Sequence, residues 1–79
     1  MSTTKEEIRS WLKRGMDKNY THMIVKCDTF DYSDYPVYVS SKEELESKLI
    51  LENMTKVMEV YNYSIDIETQ LNQHRAFNK

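Results

Sequence analysis

Cys27 is the single cysteine of this 79-residue chain, and paired with His22 or His74 it would supply the nucleophile and base of covalent catalysis. Nothing in the sequence brings either histidine to it, and no glycine-rich or oxyanion-type turn accompanies it. The expectation is a buried, inert thiol and no catalytic residue. Asp28, Asp31 and Asp34 offer a second kind of chemistry, recurring at every third position of CDTFDYSDYPVYV. A calcium loop needs carboxylates at alternating positions, a glycine at its sharp turn and a closing glutamate, so that oxygens converge on one cation. Here the spacing is three and the glycine is absent, so no metal is expected. One cysteine and two histidines serve zinc no better. Asp31, Ser33 and Asp34 are expected instead to bond their own backbone and shape a turn.

Recognition has more to work with. Six tyrosines, two phenylalanines and one tryptophan are many for this length, and Phe30, Tyr32 and Tyr35 fall around the aspartates. A tyrosine ring has a flat apolar face and a polar tip, which suits a protein interface or stacking on a nucleobase. Cations that could hold phosphates lie elsewhere, as Arg9, Lys13 and Arg14 near the start and His74 with Arg75 near the end. The candidate ligand-binding residues are therefore Phe30, Asp31, Tyr32, Tyr35, Arg9, Lys13, Arg14, His74 and Arg75. The run Gln70 to Phe77 is a candidate recognition face, with an exposed terminal helix as the plainer reading. No cofactor is expected.

The elements that must position these residues are legible from periodicity. Thr3 with Glu6, or Thr4 with Glu7, fits a capping box ahead of a helix whose stripe is Ile8, Trp11 and Leu12. That helix stops at Gly15 or runs on to Asn19, which tolerates a left-handed cap. THMIVKC reads as a central strand with Met23, Val25 and Cys27 on one face and His22, Ile24 and Lys26 on the other. Tyr35–Val39 reads as its hairpin partner, with Pro36 suiting a strand start or an edge. Ser40 or Ser41 caps a short helix with Leu45, Leu49 and Ile50 inward. TKVMEVYN alternates Val57, Glu59 and Tyr61 against Met58 and Val60. Ser64 or Asp66 then caps a last helix in which Ile67, Leu71 and His74 or Arg75 line up toward Phe77. The chain is expected to be one α+β domain over 1–79, in the order α-β-β-α-β-α. Its three-stranded, mostly antiparallel sheet carries helices mainly on one face.

Composition bounds the rest. A net charge of −2 argues against direct DNA binding, which draws its affinity from neutralised phosphates. Lys5 to Lys26 holds six basic and three acidic residues, whereas Asp28 to Glu52 holds seven acidic and two basic ones. Such polarity can steer two copies head to tail or draw an anion to one end. A chain this short has a thin core, which often self-association supplements, so a homo-oligomer is expected. The opening MSTTKEEI lacks the apolar stretch of a signal peptide, and no run reaches the ~18 apolar residues of a membrane span. With one cysteine the chain suits a reducing cytoplasm, away from membranes.

The strings WLKRG, THMIVKCDTFDYSDYPVYV and VMEVYNYSIDIETQLNQHRAF together resemble a family of short, uncharacterised proteins encoded by bacteriophages and prophages. The resemblance spans nearly the whole chain and departs at Asn19, where family members tend to carry glycine. It carries over no catalytic residue. It implies a counter-defence or host-takeover role in the host cytoplasm: a homo-oligomer that sequesters a small nucleotide signal of the cyclic-dinucleotide kind without turning it over. The alternative it implies is an inhibitor that grips a host protein through its acidic and aromatic surface, and an enzyme using Cys27 is a third.

Overall fold

The computed structural model describes residues 4–50, 55–73 and 76–79. Thr4 opens α1 (Lys5–Met16), its hydroxyl accepting from the Glu7 amide at 3.2 Å, which is the second of the two expected caps. Ile8 and Leu12 are buried and Trp11 packs beside them. Gly15 does not stop this helix. It lies inside the last turn and is buried, and a Cβ there would meet the Tyr38 ring and the Tyr63 hydroxyl at 2.6 Å. Asp17 caps the helix, and Asn19, at φ 60°, carries the left-handed turn that follows.

Three strands form an antiparallel sheet in the order β2-β1-β3, with β1 (His22–Asp28) central between β2 (Ser33–Val39) and β3 (Thr55–Asn62). Burial on both faces explains the near-continuous run HMIVKC, six consecutive buried residues. Met23 and Val25 face Ile8, Leu12, Tyr61 and Leu71 under α1 and α3 (Ile67–Leu71). Ile24 faces Val39, Val60 and Leu45 under α2 (Lys42–Lys48). Two of the three helices thus cover one face and the third covers the other.

Alternation fails in β3. Val25 pairs with Glu59 but Lys26 pairs with Val57, so Met58 is a bulged extra residue. Val57 consequently joins Val60 under α2, while Met58 and Tyr61 pack under α1 and α3. Strict period-two reading had put Val57 with Tyr61.

Ser41 caps α2 by accepting from the Glu44 amide at 3.1 Å, and the Ser40 amide donates to the Glu44 carboxylate at 3.3 Å. Leu45 is buried and Leu49 packs near it, whereas Ile50 is 66% exposed and leaves the stripe. Asp66 caps α3, accepting from the amide and hydroxyl of Thr69 at 2.9 and 2.8 Å. Ser64 bonds the Asn62 side chain instead. The helix ends at Asn72 and does not reach Phe77, which forms a parallel bridge to Val60 through the Asn78 amide and the Ala76 carbonyl. The recognition-face reading of this segment is corrected at Gln70, which is fully buried. Its carbonyl oxygen accepts from the Asn62 amide at 2.7 Å and the Asn78 side chain at 3.0 Å, and its Nε2 donates to the Asn62 carbonyl at 2.8 Å. A buried amide must be satisfied in this way, and here it ties α3 and the C-terminus to the sheet.

Candidate functional site

Asp28 and Asp31 build the turn between β1 and β2, whereas Asp34, expected to shape the turn, lies in β2 opposite Cys27 and acts on its thiol. Asp28 accepts the Phe30 amide at 2.8 Å, and Asp31 accepts the amide and hydroxyl of Ser33 at 3.0 and 2.6 Å. Those Ser33 bonds hold the Asp31 carboxyl below its ordinary range. The Tyr32 amide donates to the Asp28 carbonyl at 2.7 Å, and Tyr32 sits at φ 59°. A tyrosine in the left-handed region costs about 1–2 kcal/mol, a strain that the surrounding hydrogen bonds hold in place. The outcome is a fixed tip that carries its rings outward: Phe30 is 76% exposed and Tyr32 65%. Tyr35, the third residue of β2, is 36% exposed. Asp31, Tyr32 and Phe30 are therefore brought together, and the Asp31 carboxylate is at once architecture and surface charge.

The expected cations lie elsewhere. Arg9 donates from Nε and Nη2 to the two Glu68 oxygens at 2.9 and 2.8 Å, a bidentate tie between α1 and α3. The hydrogen bond to Arg9 holds the Glu68 carboxyl below its usual range. Arg9 and Lys13 share a shallow recess of about 290 Å³ with Glu6 and Ser10. Lys13 and Arg14 are exposed on the last turn of α1, and Arg14 acts on Tyr38, one of the tyrosines against Gly15. This places them near the His22 end of β1, whereas the tip lies at the Asp28 end, about 20 Å away along a seven-residue strand. His74 and Arg75 lie outside the described residues.

The His22 end has a geometry that sequence reasoning missed. Tyr20 stacks on Tyr38 with ring centroids 4.9 Å apart. The Tyr38 hydroxyl donates to the Trp11 carbonyl at 2.6 Å, and that of Tyr63 to the Leu12 carbonyl at 2.9 Å. Burial pushes both phenols above their ordinary range. Between Tyr20 and Tyr63 opens a notch of about 470 Å³, lined also by Thr21, His22, Asn62 and Ser64. The only early signal was the number of tyrosines, and their helix-facing bonds depend on a close approach at Gly15 that no local pattern announces.

Two titratable groups remain. Thr21 donates to the Val39 carbonyl at 3.4 Å and so accepts from His22 Nδ1 at 2.9 Å. That network assigns the hydrogen to Nδ1 and leaves Nε2 as a buried acceptor with no partner among the described residues. Burial, then the charge of Lys42, lowers the His22 pKa. Cys27 is buried and its Sγ–H points at the Asp28 carbonyl at 3.7 Å, with burial first and Asp34 next raising its pKa. The two residues alternate to opposite faces of β1 about 16 Å apart, so they form no nucleophile and base pair. Among the described residues, no group of three or more His, Cys, Asp or Glu is placed to hold a metal, and no helix is long and apolar enough to cross a membrane.

Comparison of the chain with protein-family models, with curated proteins and with solved structures gives no match.

Proposed function

We propose that this protein works by binding: a small counter-defence or host-takeover protein of phage type, whose β1–β2 tip seats Phe30 and Tyr32 in a recess on a partner protein. One observation carries the reading, the outward presentation of two large rings on a turn whose backbone is fixed by Asp28 and Asp31. Exposed aromatic side chains are the usual anchors of protein interfaces, and a turn already held in shape loses little freedom on docking. The carboxylates of Asp28 and Asp31 in the same turn favour a partner whose recess has a cationic rim. A photo-crosslinking residue at position 30 tests this in host lysate. It should capture one protein in stoichiometric yield, and a tag-based pull-down of that protein should be lost with Phe30→Ala while the melting temperature stays the same. Capture that survives Phe30→Ala and Tyr32→Ala together would sink it. Reversing Asp31 is a poorer test, because its carboxylate also builds the turn.

The nucleotide-sequestering reading has one observation in its favour: Arg14 is exposed and acts on Tyr38, whose ring stacks on Tyr20. With the tip rings at the far end of the sheet, that reading needs a second chain to bring rings and cations around one ligand. Calorimetry with a panel of cyclic dinucleotides separates the two, since a tip-docking inhibitor gives no heat with any of them.

A further inference from the structure

The two ends of the sheet complement one another. At one end stands the tip, with Phe30 and Tyr32 exposed on a turn held by the Asp28 and Asp31 carboxylates. At the other end opens the notch of about 470 Å³, lined by Tyr20, Tyr63, Thr21, His22, Asn62 and Ser64. Asn62 stands in its wall with its amide orientation settled: Oδ1 accepts the Ser64 amide and hydroxyl at 2.8 and 2.6 Å, which leaves both Nδ2 hydrogens without a partner among the described residues. The lining itself carries no charged side chain, and two cations act on residues in it or at its border. Arg14 acts on Tyr38 beneath the Tyr20 ring, Lys42 acts on His22 in the lining, and Lys18 precedes Tyr20 by two residues. Asp17 and Asp66 are the nearby carboxylates, and Asp66 is engaged by Thr69.

We infer that the occupant of the notch is the β1–β2 tip of a second copy of this chain, with Phe30 between the Tyr20 and Tyr63 rings and the tip carboxylates meeting Asn62 Nδ2, Arg14 and Lys42. Donors and cations at the notch answer acceptors and anions at the tip, and ring faces answer a ring. The two surfaces lie at opposite ends of β1, so the contact is heterologous: each copy uses its tip on one neighbour and its notch on another, and assembly runs head to tail. This rests on the reading of the tip as the contact element, and it gives the protein a way to cover its own contact rings until a partner competes for them.

Sedimentation of the full chain tests the inference. The weight-average mass should rise with protein concentration at low ionic strength and fall toward the 9.5 kDa monomer in high salt, which screens exposed charges. Phe30→Ala removes the tip ring, and Ser64→Trp with Arg14→Glu blocks the notch. All three positions are exposed, so both variants should keep the wild-type circular dichroism, with Ser64→Trp losing only the hydroxyl bond to Asn62. Each variant alone should stay monomeric. An equimolar mixture should form a one-to-one dimer and nothing larger, because one component retains a notch and the other a tip. A wild type that remains monomeric at all concentrations overturns the inference, as does assembly that persists in either variant, or a mixture that forms no dimer. A monomeric wild type that still captures a lysate protein through Phe30 leaves the contact reading standing and removes only self-docking.

Discussion

Tyrosine is used in opposite ways at the two ends of the sheet. At the Gly15 end, Tyr38 and Tyr63 donate their hydroxyls to the Trp11 and Leu12 carbonyls and lay their rings against the helix. At the tip, Tyr32 is 65% exposed and is held outward by a strained backbone. The difference teaches that ring count says little about binding. The structural tyrosines have acceptors for their hydroxyls inside the fold, the Trp11 and Leu12 carbonyls for Tyr38 and Tyr63 and the Glu59 carboxylate for Tyr61.

The sharpest way to break the comparison is Gly15→Ala. In an ordinary helix this change stabilises by about 1 kcal/mol. Here the new methyl would meet the Tyr38 ring and Tyr63 hydroxyl at 2.6 Å, and overpacking should outweigh that gain and destabilise by about 1–3 kcal/mol. The melting temperature of a domain this size should then fall by roughly 4–8 °C per kcal/mol. A rise would show that the tyrosine cradle is loose. Paired hydroxyl deletions come next: Tyr63→Phe should cost about 1 kcal/mol in urea unfolding, and Tyr32→Phe less than about 0.5 kcal/mol. Equal costs would erase the distinction between the two ends. Tyr32→Gly should raise stability by roughly 0.5–1 kcal/mol by relieving the left-handed residue, while weakening any tip-mediated contact. Loss of stability there would mean that the ring packs.

The smallest effect is a pH dependence. The folded His22 pKa lies below its ordinary 6.5, so the unfolded chain takes up a proton first as pH falls. The stability that neutral His22 contributes is therefore complete above about pH 6.5 and is lost as pH drops through that value toward the folded pKa. Chemical denaturation at pH 7 and pH 5.5 should show a smaller difference for His22→Phe than for wild type. The carboxylates held low by hydrogen bonds, Asp31, Asp66 and Glu68, titrate below this window.

Periodicity and capping chemistry by themselves determined the α-β-β-α-β-α order, the central place of β1, a pair of candidate caps for each helix from which the structure selects Thr4, Ser41 and Asp66, and the turn-building role of Asp31 with Ser33. These are short-range matters, settled by side-chain spacing and by hydroxyls and carboxylates that reach amides two or three residues away. The resemblance to short phage proteins supplied a class of function that stays a proposal. Only the tertiary structure decided that Gly15 sits inside a helix, since its reason lies in Tyr38 and Tyr63, 23 and 48 residues further along the chain. The same holds for the Met58 bulge that returns Val57 to the α2 side, for Gln70 as a buried clasp, and for Arg9 being committed to Glu68. It also decided that the rings of the tip and the cations of α1 stand at opposite ends of the molecule. Each of these depends on which distant backbone arrives within hydrogen-bond or van der Waals reach, and that is fixed by the packing of the whole chain, not by local sequence.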